Sequence, residues 1–237
     1  MKGFYFRLQG NLIESEEELQ KSIQKSEKVN IRPTKSMASR ELVQVLISLE
    51  EYSKALTLAA SNYEESPSNA FHIQAYFDCI FNTADKNHQN KKTLEQILDN
   101  LKAINSDKAR EFHGQLKAKY LAIWCGQKMA ALNLIDEVIN QFNDSFYAKV
   151  IRFDIAAEFN DFDEMDNALK QLGNEDNYDS RMYKSSVAKA NAIYQAKRGN
   201  LQNALLLIDK KLSKLSPTYK EKFKRQLMSL YGSRPLM

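Results

Sequence analysis

A three-then-four spacing of mostly apolar residues runs through this chain and returns five times. It is set first by Tyr52, Ala55 and Ala59. It comes back at Leu94, Ile97 and Leu101; at Lys128, Ala131 and Ile135; at Phe162, Met165 and Leu169; and at Leu201, Ala204 and Ile208. Steps of three and four residues bring side chains to one face of an α-helix. Between the middle residues of successive sets the chain advances 42, 34, 34 and 39 residues. A recurrence in the range of about 20–50 residues is the mark of stacked helical or blade-like units, each too small to bury its apolar face alone.

A second amphipathic segment precedes each set. Glu41–Leu49 carries Leu42, Val45, Leu46 and Leu49, and Ala70–Phe81 carries Phe71, Ile73, Phe77 and Ile80. Leu116–Cys125, Tyr147–Phe159 and Val187–Ala196 repeat the pattern with Tyr120, Phe153 and Ile193 among their apolar positions. Short breaker-containing turns join the paired helices at Gly126, Asn160-Asp161 and Gly199-Asn200,. Such short turns make the pairs antiparallel neighbours. The expected fold class is therefore all-α, a right-handed α-solenoid of about five antiparallel helix pairs with terminal helices.

With these residues in view, the chain resembles the tetratricopeptide repeat family. The last repeat carries the resemblance best, in Gly199-Asn200-Leu201, Ala204, Ile208 and Pro217. The first clear repeat reads Tyr52, Ala55, Ala59 and Pro67 in the same order. The small residue of the second helix allows close helix approach, and the proline stops that helix. Glu50 and Lys92 stand where the turn glycine is usual, Ile97 and Met165 replace the small alanine, and the aromatic-Leu-Gly signature of the first helix is poorly kept. The resemblance covers about residues 36–231, and implies that first helices line a concave groove for peptides or partner helices.

The ends read differently. Gly10-Asn11-Leu12, Ser15 and Leu19 copy the spacing of a second helix over residues 12–28. Residues 3–8 are then either a short first helix or an extended arm, since Phe4, Tyr5 and Phe6 favour strands,. Pro217–Tyr231 reads as a closing helix with Tyr219, Phe223, Leu227 and Leu230 on one face. This gives three segments: an N-terminal half-repeat or arm at 1–35, a repeat array at 36–216, and a capping helix with tail at 217–237. One continuous solenoid is expected rather than two domains.

Composition narrows the picture. Hydrophobic residues make up 43% of the chain, enough for a core, whereas 7 Gly and 4 Pro are too few for a loop-rich β protein,. No apolar stretch reaches membrane-spanning length, and Arg7 and Gln9 follow too few apolar residues for a secretory leader,. Cys79 and Cys125 are read as buried free thiols on helices, consistent with a reducing cytoplasm,. The polar runs 83–92 and 173–180 are expected as exposed connections,.

The formal net charge of +4 conceals an asymmetry. Residues 41–180 hold 13 basic and 23 acidic side chains, and residues 181–237 hold 13 basic and 2 acidic. The basic end includes Lys210, Lys211, Lys214, Lys220, Lys222, Lys224 and Arg225. Three readings fit it: a solubilising end cap, a surface for an acidic protein partner, or contacts to nucleic-acid phosphates. Lysines outnumber arginines there, which argues against sequence-specific base recognition.

No reaction chemistry is evident. The glycines form neither G-x-x-x-x-G-K-[ST] nor G-x-G-x-x-G, and C-x-x-C and H-E-x-x-H do not occur,. His72, His88 and His113 lie far apart. Asp161, Asp163, Glu164 and Asp166 cluster at a helix start, where negative charge suits the free N–H groups,. No enzymatic activity, cofactor or metal is expected. Tyr76, Tyr120, Trp124, Tyr147, Asp154, Lys189 and Tyr194, all on first helices, are the candidate partner contacts if those helices line a groove,. The leading expectation is a cytoplasmic protein–protein interaction scaffold without membrane contact. The alternatives are a sensor segment of a larger ATPase or effector system and a nucleic-acid-associated accessory protein using the basic end.

Overall fold

The computed structural model describes residues 2–83, 85–142, 145–178, 181–213 and 215–232. Among them are thirteen α-helices, one 3₁₀ turn and no strand. The all-α expectation holds. Residues 2–8 take the helical alternative: α1 (Lys2–Leu8) is a short first helix and α2 (Leu12–Lys28) its partner. The following helices are α3 (Arg32–Ser48), α4 (Tyr52–Glu65), α5 (Ala70–Thr83), α6 (His88–Ala103) and α7 (Asp107–Ile123). Then come α8 (Lys128–Gln141), α9 (Phe146–Glu158), α10 (Phe162–Leu172), α11 (Arg181–Lys197), α12 (Leu201–Lys211) and α13 (Pro217–Gly232). The chain divides into two compact units, residues 1–117 and 118–237.

Several first helices begin earlier than their apolar stripes. α3 starts at Arg32, not Glu41, because Pro33 occupies its first turn, where the missing N–H has no helical acceptor to lose,. α7 likewise starts with a polar turn at Asp107, and α11 starts at Arg181, ahead of its stripe from Val187. The polar stretch 83–92 is only half a loop. Asn87 accepts the Asn90 N–H at 2.8 Å and starts α6 at His88,. Cys125 lies in the turn after α7 and is half-buried, whereas Cys79 is buried inside α5; both are free thiols.

The turns share one hydrogen-bond device. After α3, Glu50 has φ 66°, its N–H donates to the Ile47 carbonyl at 3.1 Å, and the Glu51 N–H donates to the Leu46 carbonyl at 2.9 Å. These 5→2 and 6→1 bonds form a Schellman motif that reverses the chain with one left-handed residue. Gly10, Asn30, Asn160 and Gly199 make the same pair of bonds after α1, α2, α9 and α11. Glu50 therefore departs from the repeat in residue type and not in conformation.

In the first unit, α1 packs on α2 and α3, and α3 packs on α2, α4 and α5. Ser15 is fully buried at the small-residue position of α2, and its hydroxyl donates to the Gly3 carbonyl at 2.7 Å. That contact explains why α1 can be only two turns long. Its Gly3 lies against Leu19, and its Arg7 pairs with the buried Glu41 of α3 at 2.7 Å.

In the second unit, α9 packs on α8, α10 and α11, while α13 packs on α11 and α12. First helices thus neighbour first helices, and the closing helix continues their row. Ala131 and Ala204, the recurring small residues, are both fully buried among apolar partners of the adjoining helices. Met165 is fully buried and Ile97 nearly so, showing that the position accepts larger side chains where the opposing residues leave room.

Candidate partner-binding face

The candidate contacts fall into three environments. Tyr76, in the first unit, is a packing residue: its ring stacks on Tyr63 at 5.2 Å and burial pushes its hydroxyl pKa up. Tyr120 is 5% exposed and belongs to the interior of α7. Trp124 is half-buried in the turn beyond α7. Tyr194 is half-buried in the second-unit core, where the Arg198 guanidinium lies 5.2 Å from its ring and 5.4 Å from the Phe162 ring.

The remaining three reach solvent. Tyr147 is 41% exposed, yet its hydroxyl donates to Met182 Sδ at 3.1 Å. It belongs to an aromatic cluster: Phe146 stacks on Tyr183 at 4.1 Å, and Tyr178 meets both edge-on at 5.0 and 5.8 Å. Lys189 of α11 donates to the Tyr219 hydroxyl at 2.6 Å and lies 4.6 Å from that ring and 5.7 Å from Phe223. A cation over two aromatic faces ties α11 to α13 and still leaves the ammonium at the surface.

Asp154 is the most unusual group. It is exposed on α9, and yet desolvation pushes its carboxyl pKa up to about 6, while Lys119 pulls in the opposite direction. Water can touch a carboxylate that is still poorly solvated when protein occupies most of the volume around it. Perturbed carboxyls at such places are candidate functional groups with a physical reason.

Sequence spacing missed Lys119, Tyr183 and Tyr219. Lys119 and Tyr183 sit between apolar positions of their helices, and nothing in periodicity says which polar residue of one helix meets which of the next. Tyr219 was legible as part of the apolar face of α13 but not as the partner of Lys189.

The acidic cluster is a structural device. The Asp161 carboxylate accepts the Glu164 N–H at 3.1 Å and pairs with Lys128, and the hydrogen bond from Lys128 holds its pKa below the usual carboxylate range. Glu164 pairs with Arg152 at 2.9 Å. At the basic end, Lys210 and Lys211 are exposed in the last turn of α12, and Arg225 is exposed on α13. Lys220 and Lys222 are half-buried, and Lys214 lies outside the described residues. Lys224 is engaged by Asp209 at 2.8 Å and Glu221 at 3.2 Å, so both acidic residues of this end neutralise part of the patch. Among the described residues, no helix is long and apolar enough to cross a membrane.

No family model matches the sequence, and no curated protein matches it. Its structure is similar to the crystal structure of a thermophilic TPR protein from Thermus thermophilus, with a TM-score of 0.55 and 18% identity over 82% of this chain and 98% of that one. It is also similar, at a TM-score of 0.44 and 14% identity over 96% of each chain, to a tetratricopeptide repeat protein from Parabacteroides merdae. With the paired helices, the buried small residues and the left-handed turns, the likeness to the Thermus structure gives this chain a tetratricopeptide-like helical-repeat fold.

Proposed function

We propose that this chain is a non-enzymatic protein–protein interaction scaffold that holds a segment of a partner protein on the first-helix face of its second unit. The observation that carries the reading is that Tyr147 and Asp154 of α9 and Lys189 of the neighbouring α11 all reach solvent, with burial pushing the Asp154 carboxyl pKa up. A cationic side chain from a partner would offset the cost of ionising that carboxyl by pairing with it, so the free protein holds a group that binding would stabilise. Tyr147 and Lys189, on the same two neighbouring helices, offer an aromatic surface and a hydrogen-bonded cation beside it. Aromatic anchors with a few fixed charges are the usual carriers of interface energy.

The test is capture with wild type, Asp154→Lys and Glu137→Lys, read by quantitative mass spectrometry. Glu137 is exposed on α8, a second helix, so its reversal changes net charge equally without touching the proposed face. Proteins retained by wild type and Glu137→Lys, and lost at least tenfold by Asp154→Lys, are the expected result. Equal retention by all three removes Asp154 from the binding face.

A further inference from the structure

At the junction of α1, α2 and α3, within the first unit, lies a partly closed cavity of about 130 Å³. Phe4 of α1, Leu19 of α2 and Met37 and Ala38 of α3 give it apolar walls. Leu19 and Ala38 are buried, whereas Met37 is 38% exposed and marks the open side. Gly3 completes the α1 wall. A Cβ there would lie 2.6 Å from Leu19 Cγ, so α1 comes this close to α2 only because the residue has none,. An apolar cavity of about 150 Å³ holds one benzene molecule, so the space here suits a ring or branched group of about that size.

Beside the apolar walls stands a cation in surplus. The buried Glu41 carboxylate lines the cavity and is met by two guanidiniums. Arg7 donates to its Oε2 through two nitrogens, at 2.8 and 2.7 Å. Arg40, which also lines the cavity, donates to Oε1 through Nη2 at 2.8 Å. Two positive charges against one negative leave one positive charge over. The other lining carboxylate, Glu18, is met by Lys21 at 3.1 Å and Lys2 at 3.7 Å, so it does not cancel that surplus.

Arg40 is held in place from two sides. Nη2 is on Glu41, and the guanidinium carbon lies 4.8 Å from the centre of the Phe71 ring,. Among the described residues, its Nε and Nη1 donate to no protein group. Nη2 carries a second N–H, so one two-pronged edge of the guanidinium is left for an acceptor. A planar carboxylate meets such an edge with two parallel hydrogen bonds. A phosphate monoester would bring nearly two negative charges to a wall that offers one positive charge. An ammonium would meet a like charge, and a neutral molecule would leave the surplus as it is. An apolar body ending in one carboxylate answers both features of the cavity.

We propose that the α1–α2–α3 cavity binds a small apolar monocarboxylate, with its hydrocarbon part between Phe4, Leu19, Met37 and Ala38 and its carboxylate on Arg40. The site uses no residue of the second unit, so its test stands apart from that of the partner-binding face. The whole chain would be titrated with benzoate and with isocaproate by calorimetry and ligand-observed NMR. Acetate, benzyl alcohol and benzylammonium at equal ionic strength are the controls. At least one of the two carboxylates should bind saturably and at least tenfold more tightly than every control. Arg40→Met keeps an apolar side chain beside Phe71 and leaves Arg7 on Glu41, so it should fold and weaken that binding at least tenfold. Met37→Glu, at an exposed position, should weaken it as much by placing a negative charge at the opening, and carries the test if Arg40→Met melts early. Equal binding of benzoate and benzyl alcohol would mean a pocket indifferent to charge, and equal binding of benzoate and acetate would mean surface ion pairing alone. Either result overturns the proposal, as would no saturable binding of the carboxylates or unchanged binding by a folded variant of either kind.

Discussion

The Arg152 guanidinium of α9 holds the Glu164 carboxylate of α10 at 2.9 Å from a position only 9% exposed. The same guanidinium reaches Asp136 of α8 at 2.7 Å. One cation therefore fastens three consecutive helices of the second unit. Asp136 stays open to water, but Glu164 Oε2 is buried, so removing the arginine would leave that oxygen without its cation. Arg152→Ala should cost about 2 kcal/mol, from lost charge-assisted hydrogen bonds and lost packing of the arginine stem. Arg152→Met, which keeps the stem, should recover part of that loss. Urea unfolding of the two variants measures the difference, and equal loss in both would assign the effect to charge alone.

Asp154 gives a pH prediction. Its folded-state pKa is about 6, above the ordinary 3.8 of the unfolded chain. The folded carboxyl thus keeps its proton to higher pH, and folding stability contributed by the protonated form is lost as pH rises from about 4 through about 6. Asp154→Asn should match wild type below pH 4 and exceed it in stability above pH 6. Chemical denaturation at a series of pH values checks this. Parallel profiles for the two proteins would mean that the carboxyl is well hydrated.

Glu50 occupies a left-handed turn that glycine adopts without steric penalty,. Glu50→Gly should raise stability by about 0.5–1 kcal/mol, because the folded-state strain removed outweighs the added freedom of the unfolded chain. Gly199→Ala, at φ 95°, should lower it by about 1 kcal/mol or more,. The opposite signs at equivalent turns are the informative outcome, read from thermal or urea unfolding.

Ala204 is fully buried among Ala188, Ala192, Ala196 and Leu227. The three alanines form one stripe of α11, and their small side chains let α12 come close enough to leave no room for a branched side chain,. Ala204→Leu should cost about 1–3 kcal/mol through overpacking. The melting temperature should fall accordingly, and an unchanged value would show that α11 and α12 can separate freely.

Residue spacing was enough to establish the class of the fold and the register of its repeats. The three-four pattern specified which face of each second helix is buried, and Ala55, Ala131 and Ala204 are all fully buried as that pattern requires. Turn chemistry was legible at Gly126, Asn160 and Gly199, since these residues enter left-handed conformations readily,. Helix starts were less legible, because the first turns of α3 and α7 are polar and carry no apolar period. Glu50 hid a turn that only its backbone reveals.

The candidate sites emerged only from the packing of the helices. Tyr120 and Tyr147 look alike as aromatics on first helices, but one is interior and the other reaches solvent. The desolvation of Asp154 depends on how much protein surrounds it, a quantity set by packing and invisible to spacing. Periodicity reports which side of a helix avoids water, because burial of apolar surface is non-directional and repeats with the helix turn. Hydrogen bonding and charge are directional and short-ranged, so which polar groups meet, and which are left unmet, was settled only when the helices came together.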